Sequence, residues 1–271
     1  MEPPPVRAVI FDGTNTLWFE AKAPDVERIV AEQARRVRAL LRAWGIRVDA
    51  LEAVLREVFD AEPAASTVER ERGALREVIL PRIIRGALAS RGIAITEQQA
   101  EAWWHAAWLP GAEYFGYQLY PDTLDVLRAL RERGARVGLI SNRPCTGEML
   151  RSDLDGFGAG LARTVDAVVC SGDTGWVKPH PSTFERALSM LRVHAGEAVM
   201  VGDSCLDDMA GAQAIGMRAV WKLNGRYDAA PCADADYSIH DLAELLHLPM
   251  FGEPLVIESA WPHEDENADR W

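Results

Sequence analysis

The apolar positions of the chain follow two patterns, and the first is a series of short apolar runs that end at polar residues. The run 9–11 is typical of a buried strand; it stops at Asp12, where Gly13 permits a tight turn. After residue 120, similar runs alternate with segments of helical periodicity, which predicts a parallel sheet with right-handed crossovers. The further predicted strands are 136–140, 166–170, 198–201 and 218–221, and the predicted helices are 121–133, 181–191, 208–215 and 241–246.

The second pattern covers residues 24–109, where apolar residues recur at helical spacing without strand-like alternation. The predicted segments are a helix that ends near residue 45, a second helix through residue 59, a loop over 62–66 and a third helix over 67–90 that Pro81 kinks or splits. Thr96 and Gln99 can form a capping box, which predicts the start of a fourth helix.

These patterns predict one α/β domain that is interrupted by an all-helical insert. The strand before Asp12 joins the later strands in one sheet, so the α/β domain comprises residues 1–19 and 118–250. The helical insert comprises residues 20–117, which is within the size range of a small domain. The last segment, 251–271, is rich in acidic residues and is predicted to be a flexible tail.

Composition narrows the class of protein. A chain of 271 residues can bury a sizeable core, and its net charge of −12 argues against nucleic-acid or polyanion partners. No apolar run approaches the ~18 residues of a membrane span, and the amino terminus lacks signal-peptide features. We therefore predict a cytoplasmic protein, either a monomer or a homodimer. The cysteines are scattered, with no close pair, which suits free thiols in a reducing cytoplasm better than a disulfide framework or a zinc site; they are Cys145, Cys170, Cys205 and Cys232.

Reactive side chains are expected at four strand ends; they are Asp12, Ser141 with Asn142, Lys178 and Asp203. Open α/β sheets bind ligands at the carboxyl edge, where neighbouring strand ends meet. Two carboxylates there would repel each other unless a cation lay between them, and Mg²⁺ is the natural candidate for oxygen ligands. Ser141 and Lys178 would serve an oxyanion, so the set fits phosphoryl transfer to a carboxylate. Alternatively, Asp12 merely starts a turn.

The order of these motifs resembles the haloacid dehalogenase-like (HAD) superfamily. The motifs are Asp-x-Thr-x-Thr-Leu from Asp12, a strand followed by Ser-Asn at Ser141, Lys-Pro-x-Pro from Lys178, and Gly-Asp-Ser from Gly202 with a later Asp and Gly-Ala. Each motif is weak alone, but four in this order are specific. The resemblance covers about residues 6–248 and implies a Rossmann-like parallel-sheet core with a helical cap domain between the first two motifs.

The resemblance implies a role for each matching residue. Asp12 would be the nucleophile and a Mg²⁺ ligand, and the Thr14 backbone carbonyl and Asp203 would be further ligands. Ser141 would bind the phosphoryl group, and Lys178 would neutralise that group and Asp12.

Other residues near these motifs are candidates for supporting roles. Asp208 aligns with the later acid of the fourth motif, as a metal ligand or a support for the ligands; Asp207 is the competing choice. Asp208 could equally be an acid that complements a helix amino terminus. Thr16 would also support the nucleophile loop. The substrate-binding candidates are Thr16, Trp18, Asn142 and Arg143.

Thr14 departs from the pattern of the superfamily's phosphatases, in which the residue two after the nucleophile is usually an Asp that acts as general acid and base. A threonine hydroxyl stays protonated at neutral pH, so it cannot do this work. Loss of a general acid–base typically costs ~10²–10⁴ in rate. The sequence therefore leaves open a slow phosphatase, one whose cap supplies the acid, or an enzyme that uses good leaving groups.

The helix after Thr96 is crowded with aromatic residues: Trp103, Trp104 and Trp108 surround His105. Trp104 and Trp108 share a helix face. They could form an aromatic wall over the leaving group with His105 as a substitute acid, but cap core with an exposed histidine is the more common arrangement.

Together these features predict a Mg²⁺-dependent phosphatase for a small phosphorylated metabolite, acting through an aspartyl-phosphate on Asp12. Dehalogenases of the superfamily use the same nucleophile without metal but generally lack the Gly-Asp pair, so Asp203 favours a phosphatase. The alternatives are a dehalogenase, a phosphotransferase, or a binding module impaired by Thr14.

Overall fold

The computed structural model describes residues 4–71, 73–158, 160–223 and 231–251. In chain order, the strands of the described residues are β1 (Ala8–Phe11), β2 (Trp18–Glu20), β3 (Tyr117–Leu119), β4 (Arg136–Ser141), β5 (Ala167–Cys170), β6 (Ala198–Gly202), β7 (Arg218–Lys222) and β8 (Tyr237–Ile239). Six of them form a parallel sheet in the order β5-β4-β1-β6-β7-β8. The predicted α/β fold with a parallel sheet is therefore confirmed; of the six strands in this sheet, only the short edge strand β8 was absent from the prediction.

Helices connect and surround these strands. In chain order, those of the described residues are α1 (Val26–Ala43), α2 (Leu51–Glu71), α3 (Leu80–Ala89), α4 (Glu97–Ala107), α5 (Gly111–Tyr114), α6 (Thr123–Glu132), α7 (Gly147–Phe157), α8 (Leu161–Thr164), α9 (Ser171–Thr174), α10 (Pro181–Leu191), α11 (Ala210–Ala214) and α12 (Leu242–Leu245). Across the described part of the chain, none of them combines the length and apolar character needed to cross a membrane.

The central strand β1 is apolar throughout because both of its faces are covered. Successive side chains of a strand point to opposite faces, so Val9 and Phe11 enter one core cluster, while Ala8 and Ile10 enter the other. All four side chains are fully buried. Helices α6, α7 and α12 cover the first face, and α10 and α11 cover the second. This double cover explains the unbroken apolar run.

The strand order creates a crevice beside β1. Its neighbours are β4 on one side and β6 on the other, so the chain connections diverge at this point of the sheet. A divergence of this kind leaves an open crevice at the carboxyl ends of the strands. Asp12, Ser141 and Asp203 lie at that edge, as the motif positions predicted.

Helices α1 to α4 enclose a hydrophobic core of their own. Its members include Val37 of α1, Leu55 of α2, Ile84 of α3 and Trp103 of α4, all buried. The predicted capping box is present, since the Thr96 side chain accepts from the backbone of Gln99 and the Gln99 side chain accepts from that of Thr96. An all-helical segment between β2 and β3 is therefore observed.

The predicted loop over 62–66 and the predicted helix over 67–90 are wrong. Helix α2 continues through Pro63 to Glu71, and the break comes later, before α3 begins at Leu80. Pro81 lies in the first turn of α3, where a missing backbone N–H costs nothing because that group has no helical partner. In α2, Pro63 removes one backbone hydrogen bond of the helix. Burial of residues such as Leu55 against the neighbouring helices offsets the free-energy cost of that loss.

A small antiparallel sheet of β2 and β3 lies where the chain is predicted to pass between core and cap, and Trp18 pairs with Leu119 in it. Three-residue strands are too short to produce a recognisable alternation, so the pattern did not predict them. The division into core and cap domains itself stays a prediction. Of the predicted flexible tail, 251–271, only Phe251 is described, as the last residue of the short 3-10 helix Pro249–Phe251; residues 252–271 lie outside the described residues.

Candidate active site

Three buried carboxylates meet at the carboxyl edge of β1 and β6. Asp12, Asp203 and Asp208 each offer an oxygen, and these oxygens lie within 4.8 Å of one another. Asp12 directly follows β1, and Asp203 directly follows β6. Asp208 lies in the π-helical turn Cys205–Met209, and Ser204 caps this turn because its Oγ accepts the backbone N–H of Asp207. Neighbouring parallel strands thus bring acids almost 200 residues apart in sequence into one cluster.

Lys178 is the cation within this cluster. Its Nζ donates to Asp12 Oδ1 at 2.5 Å and to Asp208 Oδ1 at 2.6 Å, and the side chain is almost completely buried. Burial alone would lower the pKa of Lys178, but Asp12 and Asp208 outweigh that effect and hold the pKa above its ordinary value. The ammonium therefore stays charged.

The cluster holds three carboxylates and the ammonium of Lys178, so its charge would favour binding of a further cation. Burial raises the pKa of Asp208 to about 7, and the charge of Asp12 adds to this while Lys178 opposes it. With all three acids ionised, the single charge of Lys178 does not balance the cluster, and Lys222 is a second buried ammonium that borders the site. An oxygen-rich set of this kind fits a hard divalent ion such as Mg²⁺. The residues present therefore fit a divalent metal.

The structure separates Asp207 from Asp208, which the sequence left as competitors. Asp208 is almost fully buried and faces Asp12 and Lys178, whereas Asp207 is half-buried and accepts from Asn142 Nδ2 at 3.4 Å. Asp208 also accepts the backbone N–H of Ser204 through its other oxygen. These contacts place Asp208, and not Asp207, in the cluster with Asp12 and Asp203.

The loop after β1 folds back on itself, and two hydrogen bonds hold the side chain of Thr14. Thr14 Oγ1 accepts from Trp18 Nε1 at 3.2 Å and from Arg143 Nη2 at 3.4 Å. Asn15 adopts a left-handed conformation, with φ 64°, and its amide donates to Asp203 Oδ2 at 3.3 Å. The Gly13 carbonyl accepts the N–H of Leu17 and closes the turn.

Two predicted substrate-binding residues lie inside the protein instead. Thr16 and Trp18 are fully buried. The ring of Trp18 packs 4.7 Å from that of Phe157 and lies so close to Gly13 that an added Cβ would be 2.4 Å from it. This placement favours support of the loop over contact of Thr16 or Trp18 with substrate.

Ser141, Asn142 and Arg143 follow one another at the end of β4, but their side chains differ in surroundings. Ser141 is buried at the sheet edge beside β5. Asn142 Oδ1 accepts the backbone N–H of Lys178 at 2.7 Å, which makes it a residue that positions Lys178. The Arg143 guanidinium reaches Thr14 and lies 4.9 Å over the Tyr117 ring, so it lines the approach to Asp12.

The sequence did not single out several residues that border the site. Lys222 is buried at the end of β7; its Nζ is 3.5 Å from the backbone oxygen of Asn15 and 3.8 Å from the centre of the Tyr120 ring. Lys222 directly follows the predicted strand 218–221, and Asn15 lies in the turn after the predicted strand 9–11. These positions were the signal available in the sequence. Glu62 and Glu77 come from the helical segment, where no pattern distinguishes an acid that faces the core from one that faces solvent.

The aromatic helix α4 shows no contact between His105 and the acid cluster. His105 is exposed, while Trp103 is fully buried in the core of the helical segment. Trp104 and Trp108 pack edge to face, with ring centres 5.7 Å apart. His105 is therefore poorly placed as a substitute acid.

Comparison with known proteins identifies the family. The model of the haloacid dehalogenase-like hydrolases matches residues 6–216, which is most of the chain. This chain is a haloacid dehalogenase-like hydrolase. The match confirms the resemblance inferred from the four motifs and makes the protein an enzyme of the hydrolase class.

The relatives of this HAD-like hydrolase include proteins named as phosphatases and proteins named as dehalogenases. It is 33% identical to a phosphoserine phosphatase of Thermus thermophilus over 229 residues, 81% of this chain and 85% of that protein. The structure of a HAD phosphatase from Thermococcus onnurineus is similar, with a TM-score of 0.51 and 26% identity over 93% of this chain and 100% of that one. A 2-haloacid dehalogenase from Pseudomonas syringae also has a TM-score of 0.51, with 25% identity over 89% of this chain and 96% of that one.

One prediction about cysteine is wrong for this HAD-like hydrolase. Cys205 and Cys232 form a disulfide, while Cys145 and Cys170 are free and buried. The two bonded residues are 27 positions apart, and the chain path brings their Cα atoms within 5.6 Å. Spacing along the sequence could not show that proximity, because β7 and the segment after it lie between the two residues.

Proposed function

We propose that this HAD-like hydrolase is a Mg²⁺-dependent phosphatase that acts on a small phosphorylated metabolite through an aspartyl-phosphate on Asp12. The buried cluster of Asp12, Asp203 and Asp208, in which Lys178 contacts Asp12 and Asp208, is the observation that supports this most strongly. A reaction at a carboxylate that needed no metal would not call for two further buried acids beside it. The excess of negative charge therefore favours phosphatase over dehalogenase chemistry.

The proposed reaction has two displacements at phosphorus. An oxygen of Asp12 attacks phosphorus, the ester P–O bond breaks, and the alcohol leaves with a proton drawn from water. Water then attacks the phosphorus of the aspartyl-phosphate, which releases inorganic phosphate and restores the carboxylate. Lys178 offsets the charge of Asp12 and of the transferring group, and Asn142 holds the backbone of Lys178 in place.

The metal would be held by Asp12, the backbone carbonyl of Thr14, Asp203 and Asp208. When bound, Mg²⁺ supplies Lewis-acid stabilisation of charge on the phosphoryl oxygens. Asn15 would help to fix Asp203, because its amide donates to that carboxylate.

The decisive test is hydrolysis of p-nitrophenyl phosphate with Mg²⁺ and after removal of Mg²⁺ by EDTA. We expect turnover with Mg²⁺ and a loss of about 10²–10³-fold in EDTA that excess Mg²⁺ reverses, since the metal contributes several kcal/mol to such reactions. Turnover that EDTA leaves unchanged would contradict the proposal. Halide release from 2-chloropropionate in EDTA would instead support the dehalogenase alternative, which the similarity to the Pseudomonas enzyme motivates.

Thr14→Asp tests whether the missing acid–base limits the rate. We expect kcat for a phosphate ester with a poor leaving group to rise about tenfold, less than the ~10²–10⁴ of a well-placed general acid–base. The gain is reduced because Arg143, which now contacts Thr14, would pair with the new carboxylate. Thr14→Asn, which has similar size and no acid, is the control.

An unchanged rate in Thr14→Asp would show that another group already serves as acid, or that leaving-group departure does not limit turnover. No turnover of any phosphate ester by the native protein or by Thr14→Asp, with ligand binding retained, would favour the binding module.

The substrate, the phosphotransferase alternative and the location stay predictions. Phosphoserine belongs first in a substrate panel because of the 33% identity to a phosphoserine phosphatase, followed by sugar phosphates and nucleotides. Transfer of phosphate to added alcohols would reveal a phosphotransferase. The Cys205–Cys232 disulfide removes one of the reasons for predicting a cytoplasmic protein.

A further inference from the structure

A cavity of about 210 Å³ lies between the helical segment and the loop that follows β4. Its walls are mostly apolar and include four aromatic side chains. The lining residues that matter most are Phe59, Glu62, Trp103, Trp104, Phe115 and Pro144. They come from α2, α4, the end of α5 and the β4 loop, so the cavity exists only where these elements meet.

The cavity is connected to the nucleophile loop through Pro144 and Arg143. Pro144 directly follows Arg143, whose guanidinium contacts Thr14 near the nucleophile. On the same side, Phe115 stacks on Tyr117 at 6.2 Å, and Arg143 lies over that Tyr117 ring. The Arg143–Pro144 pair therefore runs from the nucleophile loop to the cavity wall, where the organic part of a phosphate ester would extend.

One carboxylate lies among these aromatic side chains. Glu62 is half-buried, and within the described residues it has no hydrogen-bond donor or salt-bridge partner of its own. Glu77 nearby is different, because it accepts from Ser171 Oγ and from the backbone of Val78. Burial raises the pKa of Glu62, Glu77 raises it further, and Arg143 acts in the opposite direction. The Arg143 guanidinium contacts Thr14 and the Tyr117 ring, and it forms no salt bridge with Glu62.

A carboxylate that lines a cavity together with aromatic side chains is suited to an ammonium group. The faces of Trp and Phe rings attract cations, and the carboxylate supplies the opposite charge. A neutral leaving group would leave Glu62 buried against apolar surface without a partner, which is unfavourable. We propose that this cavity binds a cationic ammonium group on the alcohol side of the substrate, so that the preferred substrates are phosphate esters of amino alcohols. This inference rests on the proposed phosphatase function.

Choline phosphate and its uncharged isostere, in which carbon replaces the quaternary nitrogen, test the inference because they differ in charge and not in shape. Binding of each to the full-length Asp12→Asn protein with Mg²⁺ is measured by calorimetric titration. We expect choline phosphate to bind roughly tenfold more tightly. In the Asp12→Asn/Glu62→Gln protein, the two compounds should bind within about twofold of each other.

Asp60→Asn is the matched control, since Asp60 lies on the same helix, is exposed and does not line the cavity. It should keep the tenfold difference. Equal affinity of the two compounds in the parent protein, tighter binding of the isostere, or no measurable binding of either would overturn the inference.

Kinetics separate this inference from the proposed function. If native protein hydrolyses p-nitrophenyl phosphate but the Asp12→Asn protein binds both compounds alike, only the inference fails. If native protein hydrolyses no ester, the phosphatase proposal fails. In native protein, Glu62→Gln should raise KM for choline phosphate and leave kcat within about threefold. A loss of kcat shared by choline phosphate, its isostere and p-nitrophenyl phosphate would show that Glu62 acts in proton transfer or structure, and would also overturn the inference.

Discussion

Replacement of Asp12 by Asn is expected to lower kcat for p-nitrophenyl phosphate by at least about 10⁴-fold, because the attacking oxygen is lost while the shape of the side chain is kept. The fold should survive, since the Asn side-chain carbonyl can still accept the hydrogen bond that Lys178 Nζ now donates to Asp12. Steady-state release of p-nitrophenol with Mg²⁺ measures the loss. Mass spectrometry of acid-quenched protein should find one added phosphoryl group in the native chain and none in the variant.

Asp207→Asn is the control for Asp12→Asn. It makes the same chemical change at a neighbouring acid. Asp207 is half-buried, lies outside the acid cluster and accepts a hydrogen bond from Asn142. We expect a loss below about tenfold. Equal activity of native protein and Asp12→Asn would refute the covalent mechanism, and a loss in Asp207→Asn as large as in Asp12→Asn would show that general damage to the site explains both.

The sheet and the identity of the acid cluster could be predicted from the sequence because both depend on strand ends. Buried parallel strands are continuous apolar runs, so the polar residue that ends each run stands out. Asp12 and Asp203 were found in this way, and the structure places them directly after the adjacent strands β1 and β6. The prediction that Lys178 lies at a strand end is wrong, because it lies in the loop between α9 and α10. Only its motif identified it.

Packing between distant segments could not be predicted in the same way. Trp18 follows the nucleophile closely in sequence, yet it is buried against Phe157, a contact that no local pattern contains. Pro63 within α2 shows the converse, because the local rule for proline is overridden by burial of the helix against its neighbours. Glu62 acquires its surroundings only when α2 meets the β4 loop.

Replacement of Lys178 by Met is expected to damage both activity and stability. Met has similar length and fits a buried position, but it leaves Asp12 and Asp208 without the ammonium that bridges them. Loss of one partner from a buried ion pair typically costs about 3–5 kcal/mol, and loss of a preorganised charge at the reacting group about 10²–10³ in kcat. Urea unfolding in EDTA measures the first effect, and p-nitrophenyl phosphate hydrolysis with Mg²⁺ measures the second.

The double variant Lys178→Met/Asp208→Asn decides whether this loss of stability comes from uncompensated charge. If it does, neutralising Asp208 should recover about 1–3 kcal/mol of the free energy of unfolding in the Lys178→Met background, although the same change destabilises the native protein. Activity should not return, because Lys178 is also expected to neutralise the phosphoryl group on Asp12. Additive losses of stability would mean that Lys178 contributes through packing alone. The two carboxylates that it bridges would then need a different source of compensation, and the charge balance from which a divalent cation is inferred at this site would have to be revised.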